Sequence, residues 1–148
     1  MIKQFYKETL HEIKDATKDI DTTMSDVLYD IVKLTKIKKK FNIIDFWDMF
    51  QPNGKKYYSI LNTNSSTDGE GLHWVACYQK DNMIYIYDSF ARKKIMKSFA
   101  DKMKALGYTC IYTNKKSDQQ NKQIDCGLRS LLWLLFVDKY GIDKAKVI

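Results

Sequence analysis

The feature that most constrains this chain is its last long segment, residues 126–140, which is almost entirely apolar. Its apolar side chains are Leu128, Leu131, Leu132, Trp133, Leu134, Leu135, Phe136 and Val137. A helix that is apolar on every side has no face that can meet water favourably, so it must be buried. We therefore predict that residues 126–140 form a central core helix on which the rest of the chain packs.

The segments before this helix predict both helices and strands. Helical spacing of apolar residues is found at 5–20, at 25–40, and at 91–106, where Gly107 ends the pattern. Strands are predicted at 57–61, 72–78, 83–87 and 108–113, the middle two forming a hairpin. The short aromatic segment 42–50 is interpreted as one further helical turn.

The order of these elements indicates the fold class. Helices come first, then a short antiparallel sheet with an inserted helix, and last the buried helix, which is typical of α+β domains. No internal repeat or linker divides the 148 residues. We expect a single domain over 1–148, with an N-terminal helical extension at 1–22 and a core at 24–140.

Charge and cysteine content restrict the possible partners. The net charge of +7 is carried mostly by lysine, which suggests an acidic partner such as DNA bound without base reading, or simply a soluble lysine-rich surface. Three cysteines cannot all pair, and residues 1–10 lack the apolar run of a signal peptide, so we expect a reducing compartment. No segment approaches about 18 apolar residues, so no membrane partner is expected.

Cys126 lies where a polar loop meets the predicted core helix, and Gly127 follows it. A thiol at a helix N-terminus feels the positive end of the helix dipole, which favours the thiolate. Free backbone N–H groups at the same point can bind a developing oxyanion. Cys77 and Cys110, by contrast, lie inside predicted strands and are interpreted as buried small apolar residues.

The two histidines lie in different settings. His11 is on a predicted amphipathic helix and is interpreted as an ordinary surface residue. His73 follows a glycine-containing loop and opens a strand, and Asp88 ends the return strand of the same hairpin. Because a hairpin brings its ends together, the Asp88 carboxylate can reach His73 and fix its tautomer. Taken singly, His73 also fits a structural role, and Asp88 also fits a turn.

A glutamine-rich loop precedes the cysteine, with glutamines at 119, 120 and 123. A side-chain amide near the nucleophile would complete an oxyanion hole with the Cys126 backbone N–H. The alternative is a polar loop without a catalytic role.

These pieces occur as four blocks: Gly71-Leu72-His73-Trp74-Val75, Tyr87-Asp88-Ser89-Phe90, the glutamine-rich loop, and Asp125-Cys126-Gly127. Their order resembles the clan of cysteine proteases that holds the adenovirus protease (adenain) and the SUMO-specific proteases. The likeness runs from about Met24 to Phe136 and is closest to the short maturation proteases of viruses, virophages and Polinton/Maverick elements. The resemblance implies a papain-like core in adenain-type order, with the sheet packed on the helix that starts at Cys126.

The resemblance also implies a role for each position. Cys126 would attack the scissile carbonyl, His73 would serve as base and then acid, and Asp88 would orient His73. Trp74, unless it is a core anchor, would line the substrate channel, and Gly127 would contribute to substrate binding. For the oxyanion hole, the spacing of Gln120 to the cysteine resembles the SUMO-protease branch and that of Gln119 the adenain branch.

The expected substrates follow from the same resemblance. They are capsid or core precursors cut after Gly-Gly or Gly-Ala, in the host cytoplasm or viral factory, with packaging in the virion as a further expectation. No cofactor or metal is expected to be required, although stimulation by DNA or a peptide would match the adenovirus enzyme. The alternatives are a ubiquitin or SUMO isopeptidase, an acetyltransferase built on the same Cys–His pair, and a non-catalytic DNA-binding scaffold.

Overall fold

The computed structural model describes residues 2–18, 25–67, 73–89, 96–113 and 126–148. Its helices are α1 Ile2–Ala16, α2 Ser25–Lys33, α3 Lys97–Ala105, α4 Cys126–Tyr140 and α5 Ile142–Ala145, with 3-10 turns at Lys38–Lys40 and Trp47–Met49. Its strands are β1 Phe41–Phe46, β2 Tyr58–Asn62, β3 Trp74–Lys80, β4 Met83–Tyr87 and β5 Thr109–Tyr112. The chain is therefore an α+β protein, as the order of predicted elements indicated.

The strands form one sheet in the order β1-β2-β3-β4-β5. The central pairs β2/β3 and β3/β4 are antiparallel, and the β3/β4 hairpin is the one predicted. The edge pairs β1/β2 and β4/β5 are parallel, so the expected antiparallel sheet is wrong at both edges. Parallel neighbours need a crossover connection, and α3 lies in the crossover between β4 and β5.

The helix α4 matches the predicted bounds 126–140 and lies at the centre of the fold. It packs against β3, β2, α1, α2 and α5, and Trp133 near its middle is completely buried. α3 packs on β5 at the other face of the sheet. The apolar core is thus divided by the sheet, with the larger part on the α4 side.

The alternation of β3 separates these two parts of the core. Trp74 and Ala76 belong to the cluster on the α4 side, whereas Val75 and Cys77 belong to the cluster that contains Phe99 of α3. This is the two-residue period of a strand that is buried on both faces.

The helix α1 contributes directly to the larger core cluster. Tyr6 and Leu10 are buried in it, at 1% and 6% exposure. The Tyr6 hydroxyl donates to the Arg129 backbone carbonyl at 3.2 Å and lies 3.4 Å from the Tyr87 hydroxyl. The segment that the sequence set apart as an N-terminal extension is therefore packed between α4 and the end of β4.

Two sequence predictions are corrected near the start of the sheet. The helix predicted over 25–40 ends at Lys33, and residues 42–50 form the rest of β1 and a 3-10 turn instead of one helical turn. The pairing of β1 with β2 shifts register between Phe41 and Ile43. Buried positions in β1 therefore do not alternate, and the two buried residues are Phe41 and Ile44, three positions apart. A bulge of this kind breaks the alternation and imitates helical spacing.

Candidate active site

Three different elements present the predicted catalytic residues. His73 immediately precedes β3, Asp88 immediately follows β4, and Cys126 is the first residue of α4. The antiparallel register, with Ala76 opposite Tyr87, brings the start of β3 next to the end of β4. Because α4 packs on β3, its N-terminus is held over the same end of the hairpin.

The His73 and Asp88 side chains form a direct, buried pair. His73 Nε2 lies 2.5 Å from Asp88 Oδ1, and the two residues are only 3% and 1% exposed. A buried carboxylate needs a charged or hydrogen-bonding partner to offset its lost hydration. The imidazole supplies that partner, and the bond to Nε2 fixes the orientation of the ring.

The same imidazole also interacts with Cys126. Burial lowers the pKa of His73, but hydrogen bonds and charge interactions with Asp88 and Cys126 outweigh this effect and raise it from 6.5 to about 9. Because Nε2 is bonded to Asp88, Nδ1 is the ring nitrogen that remains for the thiol. At neutral pH the ring is thus an imidazolium beside the Cys126 sulfur, and a cationic histidine next to the sulfur is typical of activated cysteine nucleophiles.

The surroundings of Cys126 supply backbone donors. The Trp74 backbone N–H donates to Cys126 Sγ at 3.4 Å. The first N–H groups of α4, including that of Gly127, have no acceptor within the helix and carry the positive end of its dipole. An anionic sulfur or oxygen at this position is therefore stabilised from two directions.

The two predicted substrate-binding residues are both buried. Trp74 is 8% exposed and belongs to the same core cluster as Cys126, and Gly127 is buried in the first turn of α4. This burial agrees with the core-anchor alternative for Trp74, and a substrate-binding role for Trp74 or Gly127 stays a prediction. Gln119 and Gln120 lie outside the described residues, so the side-chain half of the predicted oxyanion hole remains a prediction.

Sequence reasoning missed two residues that support the site. Ser130 is completely buried, and its hydroxyl donates to the Trp74 backbone carbonyl at 3.3 Å. The Tyr6 hydroxyl links Tyr87, the residue before Asp88, to the backbone carbonyl of Arg129 in the first turn of α4. A lone serine within an apolar helix was the available signal for Ser130, whereas nothing in the local pattern distinguished Tyr6.

The other cysteines and histidine lie in different environments. Burial raises the pKa of Cys77 well above its usual value and that of Cys110 to about 11, so neither thiol is activated. His11 is exposed on α1, where it borders an open depression of about 360 Å³ that none of the three predicted catalytic residues lines. Cys126 is therefore the one cysteine of the three that lies against a histidine.

Within the described ranges, no group of three or more His, Cys, Asp or Glu side chains could hold a metal ion. None of the helices described is long and apolar enough to cross a bilayer. Neither the scan against models of protein families nor the search of curated proteins finds a match to this chain.

Proposed function

We propose that this protein is a cysteine endopeptidase that uses Cys126 as nucleophile, His73 as acid and base, and Asp88 as the group that orients His73. The observation that carries the proposal is that one buried imidazole interacts with both Asp88 and Cys126. These residues are far apart in sequence, and three separate elements bring them together. A nucleophile, a base and an orienting carboxylate are the components of a hydrolytic triad.

In the proposed reaction the Cys126 thiol proton passes to His73 Nδ1, and Sγ attacks the scissile carbonyl carbon, whose oxygen becomes an oxyanion. The Cys126 backbone N–H holds the resulting oxyanion together with the side chain of Gln119 or Gln120. His73 Nδ1 gives its proton to the amine nitrogen, the C–N bond breaks, and an acyl-thioester remains. His73 then takes a proton from water, the hydroxide displaces the sulfur, and the acid product leaves.

The substrate class is proposed from the resemblance to adenain-type proteases. A papain-like core in adenain order would place a narrow channel before the nucleophile, which suits Gly-Gly or Gly-Ala before the cut. We propose capsid or core precursors as the substrates, in a host cytoplasm or viral factory. The isopeptidase alternative has the same chemistry and draws support from Asp125 and from the spacing of Gln120 to Cys126.

A peptide vinyl sulfone ending in Gly-Gly tests the proposal directly, with the adduct mapped by mass spectrometry. We expect selective labelling of Cys126 that is lost in His73→Ala, because the imidazolium activates the thiol. Equal labelling of all three cysteines, or labelling unaffected by His73→Ala, would contradict the proposal. A ubiquitin or SUMO vinyl sulfone used in parallel separates the isopeptidase from the endopeptidase: preference for the folded modifier favours the isopeptidase.

A further inference from the structure

The backbone of Trp74 is bonded to α4 on both sides. Its N–H donates to Cys126 Sγ at 3.4 Å, and its carbonyl accepts from Ser130 Oγ at 3.3 Å. Cys126 and Ser130 are four residues apart in α4, so they lie on one face of the helix, one turn apart. Trp74, the first residue of β3, is therefore hydrogen-bonded to two residues that lie one full turn apart on the helix that carries the proposed nucleophile.

The bond from Ser130 is a specific tertiary contact. A serine within a helix commonly bonds back to the carbonyl four residues earlier, which here would be that of Cys126. Ser130 Oγ instead bonds across to β3 and is completely withdrawn from solvent. Burial of a hydroxyl among apolar side chains is costly without a partner, so this contact offsets the cost at Ser130.

The consequence concerns the pair formed by His73 and Cys126. His73 is covalently joined to Trp74, so a shift of the Trp74 backbone along α4 moves the imidazole relative to Cys126 Sγ. Reacting groups must be held within about 0.5 Å of the productive geometry, and displacements of about 1 Å can lower rates by about 100-fold. The bond from Ser130 resists such a shift without touching the reacting atoms.

We propose that Ser130 is a positioning residue of the active site, which sets the register of β3 on α4 and thereby the contact between His73 and Cys126. The inference rests on the proposed function insofar as that contact activates the thiol. It adds a residue outside the four sequence blocks to the residues on which the activity depends.

The test compares Ser130→Ala with the matched control Ser59→Ala. Ser59 is also buried, at 1% exposure, but its hydroxyl has no hydrogen-bond partner among the described residues. The readout is the alkylation rate of Cys126 by iodoacetamide from about pH 5 to about pH 10, corrected for the folded fraction. Turnover of a Gly-Gly peptide substrate, resolved into kcat and KM, is measured on the same samples.

We expect Ser130→Ala to slow Cys126 alkylation near neutral pH and to lower kcat by about tenfold with little change in KM. Ser59→Ala should alkylate and turn over like the wild type. Unchanged alkylation per folded molecule in Ser130→Ala, or an equal loss in Ser59→Ala, would overturn the positioning role. Wild-type Cys126 that alkylates no faster than a free thiol would instead overturn the proposed function, so the two failures are distinct.

A second variant keeps the test decisive if Ser130→Ala folds poorly. Ser130→Cys conserves the side-chain volume while replacing the hydroxyl by a much weaker donor. Trypsin cleaves after Arg129, so an adduct on residue 130 is found on a different peptide from one on Cys126. A folded Ser130→Cys with wild-type alkylation of Cys126 and wild-type kcat would overturn the proposal, and a loss intermediate between wild type and Ser130→Ala would support it.

Discussion

His73 Nε2 lies 2.5 Å from Asp88 Oδ1, in a pair of residues that are both at least 97% buried. The pair connects the two ends of the β3/β4 hairpin. In the folded protein the pKa of His73 is about 9, which is above its value of 6.5 in the unfolded chain. Stability must therefore depend on pH in this range.

The pH dependence has a definite sign. Because the folded pKa of His73 is raised, its contribution to the free energy of unfolding is fully present below pH 6.5 and is lost as pH rises through about 9. The loss is about 3 kcal/mol. Urea unfolding at a series of pH values should show this decline in the wild type and a smaller one in Asp88→Asn. The exposed His11→Ala serves as control, and a decline of the same size in Asp88→Asn would contradict the coupling.

Removal of the nucleophile should abolish turnover while leaving the protein folded. Cys126→Ala should abolish peptide turnover, because the covalent step needs the sulfur. The midpoint of thermal unfolding should change little, since Ala still fills most of the space of a small buried side chain. His73→Ala should lose nearly as much turnover, and Asp88→Ala less. Turnover retained by Cys126→Ala would disprove the assignment of the nucleophile.

The oxyanion hole can be assigned by two single substitutions. Gln119→Ala and Gln120→Ala remove neighbouring amides, and the resemblance implies that one of the two serves the oxyanion hole. We expect one variant to lose about 100-fold in kcat and the other to remain near normal. Normal kcat in both would show that the glutamine-rich loop does not supply the second donor.

The hydroxyl of Tyr6 provides a test of how α1 supports the site. Tyr6→Phe removes the bonds to Tyr87 and to the Arg129 carbonyl while keeping the ring packing, so it should lower the free energy of unfolding by about 1 kcal/mol. Tyr140→Phe is the matched control, because the described residues show ring contacts of Tyr140 but no hydroxyl bond. Equal stability of the two variants in urea would show that these hydroxyl bonds contribute nothing.

The effect of DNA can be measured through its salt dependence. If the net charge of +7 recruits DNA, peptide turnover should rise when duplex DNA is added at low salt, and the increase should fade as salt screens and displaces the contacts. A charge-matched polyanion such as heparin is the control for specificity to nucleic acid. Turnover that ignores DNA at low salt would remove DNA from the proposed partners.

The sequence predicted those parts of the fold that rest on strong local signals. The bounds of α4 follow from an apolar run, and the β3/β4 hairpin follows from alternation around a short turn. β1 could not be predicted, because its bulge spaces the buried Phe41 and Ile44 like a helix. The parallel edge pairings were also inaccessible, since they depend on contacts between segments that are distant in the chain.

The residues of the candidate site also fall into two groups, those that the sequence indicated and those that only the structure shows. Cys126, His73 and Asp88 could be proposed because their residue types carry chemistry and because their order along the chain resembles that of a known clan of cysteine proteases. Ser130 and Tyr6 act through single hydroxyl groups on helices, and their partners are backbone carbonyls and the Tyr87 hydroxyl on distant elements. No local periodicity encodes such contacts, so only the folded arrangement shows them.

The position of α4 along the chain also determines when the core can form during synthesis. The whole sheet precedes residue 126, so a nascent chain that stops there has made β1 to β5 but lacks the helix that covers Trp74, Ala76 and Tyr87. Such an intermediate would expose one face of the sheet and would require protection from aggregation. The same helix begins with Cys126, so the proposed nucleophile and the cover of this face of the sheet are made together during synthesis.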